Sequence, residues 1–527
     1  MCCRWSVNRP IDSLPDDIDA LRTVALNVIA ERDAAIAERD RLIELNDRLR
    51  GLLRKAQGFE PKSERLAKLH PDQLNLALED LEQAIAKAEA SEEKRQAADV
   101  PPRKRRINRG ALPAHLPRIH ETVAPADMSC PCCKSQMHVI GEETSERLDV
   151  IPTQYRVIVT HRPRFACRGC EKIVEAPAPE HLIKSGLPTE ALVASVLVAK
   201  YGWHVPLYRQ SKMLACQGID LDRSTLAFWV GYAAAELMPL YGRLKANLLT
   251  SAKLAVDETP VPVLDPGRGQ TKTGYFWAMA RDDRPWGGTD PPAVVYTYAP
   301  GRGSEHLERL LANYRGIVQC DGYAPYKKLS ADRITVAFCW SHLRREFFKI
   351  AERGDAPIAT EAVARIAQIY AVEKDVRGTS ADARRAARQA KSRRLTDALK
   401  TFFEHQLARL SGGSDTAKII RYGLRHWDGL IRFLDDGRIE LDTNIVERSM
   451  RPQALTRKNA LFAGHDDGAE NWAILASLIE TAKLSGVDPH AWLADVLTRL
   501  INLWPNNRLD ELLPWTWAAA RQQQLAA

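Results

Sequence analysis

Two apolar stretches that each end in an aspartate constrain the fold of this chain most. Lys253–Asp257 and Ile317–Asp321 have the length and composition of buried β-strands, and each ends in a carboxylate. A carboxylate at the end of a buried strand is costly to desolvate unless a cation or hydrogen-bond donors stabilise its charge. If the two strands are neighbours in one sheet, both carboxylates can hold a divalent metal ion between them.

The order of the elements around these aspartates predicts the fold class. The sequence predicts strands at 253–257, 275–280 and 293–298, a helix at about 304–314, strands at 317–321 and 334–338, and a helix at 340–352. Three strands, a helix and a fourth strand ending in aspartate is the order of a ribonuclease H-like sheet. We therefore expect a ribonuclease H-like α/β domain at 251–485 with a helical insertion at about 360–411. The insertion carries a basic run, Arg384, Arg385, Arg388, Lys391, Arg393 and Arg394.

A third acid, Glu447, lies in a predicted helix that a polar residue at 442–443 caps and that Pro452 disrupts. At 3.6 residues per turn, Glu447 shares one face with Arg448 and Arg451, and the opposite face is apolar. An acid among cations suits a site that binds both metal ions and a polyanion. Spacing alone favours an ordinary solvated face with ion pairs along the helix.

Half of the ten cysteines cluster in one short stretch. Cys130 and Cys133 form one C-x-x-C pair, and Cys167 and Cys170 form a second. Four thiolates arranged in this way hold one zinc ion tetrahedrally and leave no open position, so the site would be structural. The alternative is a set of free buried thiols, and Cys132 is a rival ligand to Cys133. We predict a small zinc-binding domain at 111–178.

Two segments that precede this domain are predicted to be helical. Leucine and other apolar residues recur every seven positions within 16–58, which predicts an N-terminal coiled coil at 1–58 and a homo-oligomer. A single amphipathic helix packed on its own protein is the alternative. A helical segment with a basic linker follows at 59–110. The linker cations could contact DNA phosphates or form an ordinary solvated charge run, and they are Arg103, Lys104, Arg105 and Arg106.

Two further helical regions lie on either side of the predicted α/β domain. Residues 179–250 have helix-turn-helix spacing, with Arg223, Ser224 and Thr225 at the start of the second helix, although a plain helical hairpin fits equally well. Residues 486–527 are predicted to form a C-terminal helical tail. The whole chain is therefore expected to be a multidomain α+β protein.

Composition excludes several classes of protein but identifies no partner. Apolar residues make up 45% of the 527 residues, which excludes a wholly disordered or fibrous chain. The apolar runs are too short for a membrane span, and the acidic N-terminus does not resemble a secretory signal. We therefore expect a soluble intracellular protein without a membrane partner. The formal net charge of +8 is too small on such a long chain to indicate nucleic-acid binding.

Several motifs together resemble one known family closely, the insertion-sequence sixty-six transposases. The resemblance extends over nearly the whole chain and includes the leucine-rich N-terminus and the paired C-x-x-C. Lys134, where glycine is more usual, and the extra Cys132 are departures from the family pattern. The motifs are Asp-Glu-Thr-Pro at 257–260, Asp-Gly-Tyr at 321–323, Cys-Trp-Ser-His-Leu-Arg-Arg at 339–345, Asn-Ile-Val-Glu-Arg-Ser-Met-Arg-Pro at 444–452, Arg-Lys-Asn-Ala-Leu-Phe-Ala-Gly at 457–464 and Asp-Glu-Leu-Leu-Pro-Trp-Thr-Trp at 510–517.

The resemblance implies a DDE transposase that binds element ends and catalyses metal-dependent strand cleavage and strand transfer. Its acidic triad falls on Asp257, Asp321 and Glu447, which would hold Mg²⁺ or Mn²⁺. His342 would orient a phosphate or act as an acid or base, and a supporting or helix-capping role is equally compatible. Such a protein would act on DNA in the bacterial cytoplasm, at the nucleoid, and accessory proteins of the element could assist it. The cations expected to contact phosphates are Arg344, Arg345, Arg448, Arg451, Arg457 and Lys458.

Two other functions stay open at this point. A non-catalytic, zinc-containing DNA-binding regulator could derive from a transposase. A metal-dependent nuclease on the same fold would cut DNA but never join it. An intact acidic triad argues against the regulator, and only an assay of DNA joining separates the transposase from the nuclease.

Overall fold

The structure is a computed structural model, which describes residues 117–120, 132, 134, 154–166, 168, 170, 173–184, 186–265, 268–329 and 331–526. The chain divides into two units, Met1–Ile158 and Val159–Ala527, and all the helices and strands given below belong to the second. The predicted coiled coil, the segment at 59–110 and its basic linker lie outside the described residues.

The described part is a mixed α/β structure whose core contains a five-stranded sheet. Its strands are β3 (Lys253–Asp265), β4 (Gln270–Arg281), β5 (Ala293–Ala299), β6 (Gly316–Cys320) and β7 (Ile334–Phe338), and a separate hairpin consists of β1 (Arg164–Ala166) and β2 (Ile173–Glu175). The strand order in the large sheet is β5-β4-β3-β6-β7. Strands β3, β4 and β5 are antiparallel neighbours, whereas β6 runs parallel to β3 and β7 runs parallel to β6.

Helices precede, connect and follow the strands. They are α1 (Glu190–Tyr201), α2 (Leu207–Ala215), α3 (Arg223–Leu248), α4 (Ser304–Leu310), α5 (Trp340–Ala351), α6 (Pro357–Val376), α7 (Ala381–Ala387), α8 (Arg393–Arg409), α9 (Asp415–Arg425), α10 (Trp427–Ile431), α11 (Asn444–Ala460), α12 (Asp466–Leu484), α13 (Pro489–Ile501) and α14 (Pro514–Ala526). A π-helical turn at 388–392 joins α7 to α8. None of the described helices combines the length and apolarity that crossing a membrane requires.

Helix α12 covers the free edge of the sheet at β5. Ser477 accepts a hydrogen bond from the backbone N–H of Tyr296 at 2.8 Å. Thr481 accepts from the N–H of Val294 at 3.1 Å and donates to its carbonyl at 2.9 Å. Exposed strand edges tend to pair with other chains, so these two hydroxyls satisfy an edge that would otherwise be reactive. They also explain why two polar residues are fully buried in α12.

Strand β3 is longer than the sequence predicts, because it continues eight residues past Asp257. Pro260 and Pro262 favour an end at this point, since proline cannot donate to a sheet ladder. Neighbour β6 pairs only with the first residues of β3, at 253–255, so one side of the later part of β3 is a free edge that tolerates proline. Ala463 then pairs with this edge, donating to the Pro262 carbonyl at 2.9 Å.

Pro452 likewise does not disrupt its helix. Helix α11 runs from Asn444 to Ala460 with Pro452 in its interior. Proline removes one backbone hydrogen bond from a helix. Tertiary contacts supply the stability here, because Val446, Ser449 and Met450 of this helix are buried. The polar face that the sequence predicts, with Arg448 and Arg451, is exposed.

The basic run of the predicted insertion faces the protein interior in part. Arg384 and Arg388 are fully buried. Both guanidinium groups pair with the carboxylate of Glu373 on α6, at 3.2 and 2.7 Å respectively. These cations therefore hold helices together.

Candidate active site

Asp257 and Asp321 lie at the same level on two adjacent parallel strands. In the register of β3 with β6, Ala255 pairs with Gln319. Each aspartate follows two residues after its member of that pair, and residues two apart share one face of a sheet. The two carboxylates are therefore brought side by side. The chain turns directly after Asp321, where Gly322 has a φ of 90° that favours glycine.

The environment of Asp257 disfavours a negative charge. Burial of the carboxyl, together with the neighbouring carboxylates of Glu258 and Asp321, raises the pKa of Asp257 to about 7. The backbone N–H of Glu258 donates to Oδ1 of Asp257 at 2.9 Å and only partly opposes this effect. A divalent cation placed between Asp257 and Asp321 would remove the electrostatic cost.

Glu258 is a fourth carboxylate close to these aspartates, and its side chain is 1% exposed. Arg302 donates to it from Nε at 2.7 Å, and the Tyr326 hydroxyl donates at 2.8 Å. Burial raises the pKa of Glu258, and both hydrogen bonds oppose that rise. The guanidinium of Arg302 also lies over the ring of Tyr323, 3.8 Å from its centroid. Glu258 on β3 therefore contacts the segments that follow β5 and β6, beside the aspartates.

The segment that leads into α11 is fastened to the same end of the sheet. Gln319, buried in β6, donates from Nε2 to the carbonyl oxygens of Glu440 at 2.6 Å and Asp442 at 3.1 Å. The backbone N–H of Trp340 donates to the carbonyl of Leu441 at 2.8 Å. These contacts fix the beginning of α11 beside the ends of β6 and β7, although more than 100 residues separate them in the chain.

Glu447 lies one turn into α11 and faces α5. Its Oε1 is 3.9 Å from Nδ1 of His342 and accepts from the hydroxyl of Thr443 at 3.4 Å. Its Oε2 accepts from Arg345 at 3.3 Å. Two residues that the sequence singled out, His342 and Arg345, therefore lie against the third predicted acid.

Cys339 and His342 form a polar pair under this carboxylate. Burial by itself would raise the pKa of the Cys339 thiol, but His342, Ser341 and the Thr443 N–H outweigh it and hold that pKa below its ordinary value. Burial would lower the pKa of His342, but the neighbouring Cys339 and Glu447 raise it to about 9. These neighbours favour the protonated form of His342 when no metal ion is bound.

The predicted phosphate contacts differ in how freely they can reach DNA. Arg448, Arg451 and Lys458 are exposed on α11. Arg344 lies 5.7 Å from the ring centroid of Phe348 on its own helix. The Arg457 side chain instead donates to the backbone carbonyl of Pro260 and holds α11 against β3.

Of the four predicted zinc ligands, only Cys170 is among the described residues. It is exposed and lies in the connection between β1 and β2. Cys130, Cys133 and Cys167 are outside the described residues, and Cys132, the rival ligand, is exposed. The antiparallel hairpin thus flanks the second C-x-x-C pair.

Three residues that support the site were not predicted. Gln319 is the one polar residue in an apolar strand, which is a signal that sequence reasoning could have used. Glu258 follows Asp257 directly, and a second acid at a strand end is a similar signal. Tyr422 donates from its hydroxyl to the carbonyl of Asp321 at 2.8 Å, and no local pattern in the sequence indicates this contact.

Comparison with protein families places the chain among transposases. A family model described as "Transposase IS66 family" matches residues 185–471, which is more than half of the chain. The "IS66 C-terminal element" matches 477–515, and the "zinc-finger binding domain of transposase IS66" matches 127–171. A fourth model, "Transposase C of IS166 homeodomain", matches 44–120. The chain belongs to the IS66 transposase family, as its motifs suggested.

Relatives in one bacterium match almost the full length. The chain is 44% identical over 475 residues to the uncharacterized protein y4jD of Sinorhizobium fredii (strain NBRC 101917 / NGR234), covering 88% of this chain and 93% of the relative. It is 41% identical over 533 residues to the uncharacterized protein y4qI of the same strain, covering 96% and 98%. The family matches support a transposase, and the zinc-finger match supports a structural zinc ion.

Proposed function

We propose that this chain is a DNA transposase that cleaves the ends of an insertion sequence and joins them to target DNA. Asp257, Asp321 and Glu447 are its proposed catalytic carboxylates. The observation that carries the proposal is the shared level of Asp257 and Asp321 on adjacent parallel strands, with the Glu447 helix fastened to the same end of the sheet. The strand order β5-β4-β3-β6-β7 supports a ribonuclease H-like fold.

The donor set fits divalent metal ions. Mg²⁺ and Mn²⁺ prefer carboxylate oxygens, and the neighbouring carboxylates of Glu258 and Asp321 disfavour a negative charge on Asp257 unless a cation is present. When bound, such ions would activate the attacking oxygen and stabilise the leaving oxygen at phosphorus. Asp257 and Asp321 would hold the ions from the sheet, and Glu447 would hold them from α11.

The remaining side chains would position these groups and the DNA. His342 and Arg345 contact the Glu447 carboxylate and would fix its orientation. Arg448, Arg451 and Lys458 project from the same helix and would contact phosphates without reading the base sequence. In the first step a P–O bond is hydrolysed and a 3′-hydroxyl is released. In the second, that hydroxyl attacks a target phosphodiester, where a new P–O bond forms and the bond to the 3′-oxygen of the target strand breaks, so no covalent link between protein and DNA is required.

The other parts of the chain would assemble the complex on DNA. We propose that Cys130, Cys133, Cys167 and Cys170 bind the structural zinc ion. We further propose that the heptad segment at 16–58 makes a homo-oligomer and that the basic linker at 103–106 contacts DNA phosphates.

The test is a joining assay with Mg²⁺, labelled terminal-repeat DNA and a target plasmid. Asp257→Asn, Asp321→Asn and Glu447→Gln should each lower joining at least about 100-fold, since each removes charge that stabilises the transition state. Asp265→Asn is the matched control, because Asp265 ends the same strand, pairs with Arg268 at 3.5 Å and should leave joining unchanged.

Other outcomes would point to the other functions. Cleavage of the labelled DNA by the parent chain without any joined product would indicate a nuclease. Binding of the terminal-repeat DNA without cleavage would indicate a regulator. If all three acidic variants join DNA as well as the parent, the assignment of these carboxylates is wrong.

A further inference from the structure

Three different metal-binding side chains converge beneath the proposed active site. Sγ of Cys339, a ring nitrogen of His342 and a carboxylate oxygen of Glu447 all lie within 4.8 Å of one another. Cys339 is the residue directly before α5, His342 lies in the first turn of α5, and Glu447 comes from α11. The backbone contacts of 440–443 with β6 and with the start of α5 bring these two helices together.

One nitrogen of the His342 ring makes no hydrogen bond with the described residues. Nδ1 of His342 is buried and makes no hydrogen bond within the described part of the chain, yet Glu447 Oε1 lies only 3.9 Å away. A buried polar atom without a hydrogen bond destabilises the folded state. The sulfur of Cys339 is surrounded by polar groups: the N–H of Thr443 donates to it at 3.3 Å, and the hydroxyl oxygen of Ser341 lies 3.0 Å away. Such surroundings suit a thiolate.

The spacing of the three atoms fits a small tetrahedral ion. Ligands bound to zinc at about 2.0–2.3 Å are separated from one another by roughly 3.4–3.6 Å. The 3.9 Å separation of His342 and Glu447 needs only a small side-chain rotation to reach this value. Mg²⁺ prefers oxygen ligands, whereas thiolate with imidazole favours zinc and similar ions. The three ligands would leave one coordination position open.

We propose that Cys339, His342 and Glu447 form a second zinc site, separate from the zinc finger, that inhibits the enzyme. A zinc ion held here would take Glu447 away from the catalytic metal ions. The binding part of this inference depends only on the three side chains. The inhibitory part rests on the proposed catalytic function of Glu447.

The binding test uses the full-length protein with its zinc finger already loaded. Zinc is added by equilibrium dialysis, and bound zinc per chain is measured for the parent, Cys339→Ser and Cys216→Ser. Cys216 is an exposed thiol at the end of α2 and is the matched control. The parent and Cys216→Ser should bind one zinc ion more than Cys339→Ser, or bind it at least about tenfold more tightly, since even the loss of an outer-shell partner costs 10–100-fold. Equal binding by all three would overturn the inference.

Two further measurements keep the result independent of folding. Cobalt added in place of zinc should give a thiolate charge-transfer band that is lost in Cys339→Ser and shifted in His342→Gln. Circular dichroism and thermal unfolding of these variants should match the parent. An unchanged cobalt spectrum in a folded Cys339→Ser protein would also overturn the site.

The joining assay then tests whether zinc bound at this site also inhibits the enzyme. At fixed Mg²⁺, zinc should inhibit the parent at concentrations at least about tenfold lower than those that inhibit Cys339→Ser, with each protein compared to its own zinc-free rate. Equal inhibition of both would overturn the inhibitory role. A zinc ion that binds the parent through Cys339 without inhibiting joining would support the site and count against Glu447 as a catalytic ligand.

Discussion

Two groups of charged side chains in this molecule differ in how far their charges are paired. In the first, cations and anions are equal in number, whereas the second consists of carboxylates. The buried arginine cluster consists of Arg384, Arg388 and the carboxylates of Glu373 and Glu440. Arg388 forms a two-point ion pair with Glu373, through Nε and a terminal nitrogen, each at 2.7 Å. Its remaining N–H groups donate to backbone carbonyls between 433 and 439 at 2.8–3.1 Å. Two cations thus face two anions.

The acidic cluster consists of Asp257, Glu258, Asp321 and Glu447, and its charges do not balance among themselves. Arg302 neutralises Glu258, and Arg345 with His342 contacts Glu447. No cation of the described residues forms an ion pair with Asp257, and burial raises the pKa of that group to about 7. A cluster in which cations and anions pair contributes to the structure. A cluster with an excess of one charge is suited to binding a ligand of the opposite charge.

The largest effect should come from breaking the balanced cluster. Arg388→Ala removes every partner of Glu373 except Arg384 and takes one donor away from each of three backbone carbonyls. Removal of one partner from a buried ion pair commonly costs about 3–5 kcal/mol. The free energy of unfolding, measured by urea denaturation, should fall by that amount.

Arg385→Ala, one turn of helix earlier, is the matched control. The Arg385 side chain is 58% exposed and only 4.0 Å from the exposed Asp382. Its replacement should change stability by less than about 0.5 kcal/mol. If both variants lost equal stability, the buried arginine cluster would not be a structural element.

The acidic cluster should respond to mutation in the opposite direction. The pKa of Asp257 is about 7 in the folded protein, against an ordinary value of 3.8, so the folded state holds this proton more tightly than the unfolded state. The resulting stability is present at low pH and is lost as pH rises from about 4 to about 7. Asp257→Asn keeps a neutral group throughout and should be more stable than the parent above pH 7, by about 1–3 kcal/mol.

Urea denaturation at pH 5 and pH 8, without added divalent metal, would measure this difference. The variant should gain at pH 8 and differ much less at pH 5. Mg²⁺ at pH 8 should then stabilise the parent more than the variant, because it supplies the missing charge. Equal stability of parent and variant at pH 8 would show that the acidic cluster is not strained by its own charge.

The comparison also explains how far the sequence could be interpreted. Apolar runs and their order predicted the five strands of the sheet near their observed positions, because burial dictates composition along each strand. Local rules failed where a tertiary neighbour decided the outcome. Strand β3 passes through Pro260 and Pro262 because it has no neighbour on one side there. Pro452 is tolerated within α11 because tertiary contacts of the buried face stabilise that helix.

Charge was the property that sequence predicted least well. No local pattern indicates that Arg384 is buried, because Glu373 and Glu440, which pair with it, lie 11 and 56 residues away. The contacts between Gln319 and Glu440 span 121 residues and carry no local signal. Motif resemblance, in contrast, identified the family.

The smallest effect on stability should come from Arg345, which lies at the exposed border of the acidic cluster. Its pair with Glu447 is long, at 3.3 Å, and its side chain is 52% exposed, so water screens the charge. Arg345→Ala should change the free energy of unfolding by less than about 1 kcal/mol. It should nevertheless weaken binding to any duplex DNA to a similar extent and reduce the salt dependence of binding, because a phosphate contact releases counterions without reading sequence.

Fluorescence anisotropy with terminal-repeat DNA and with unrelated DNA, over a range of salt concentrations, would measure these two changes, with Arg385→Ala again as the control. Arg345 would then differ from Arg388 in two ways: its replacement would change stability little, and it would weaken DNA binding. If Arg345→Ala instead left the salt slope unchanged and destabilised the fold as Arg388→Ala does, Arg345 would be a structural partner of Glu447. The two clusters would then differ in their carboxylates but not in the function of their arginines.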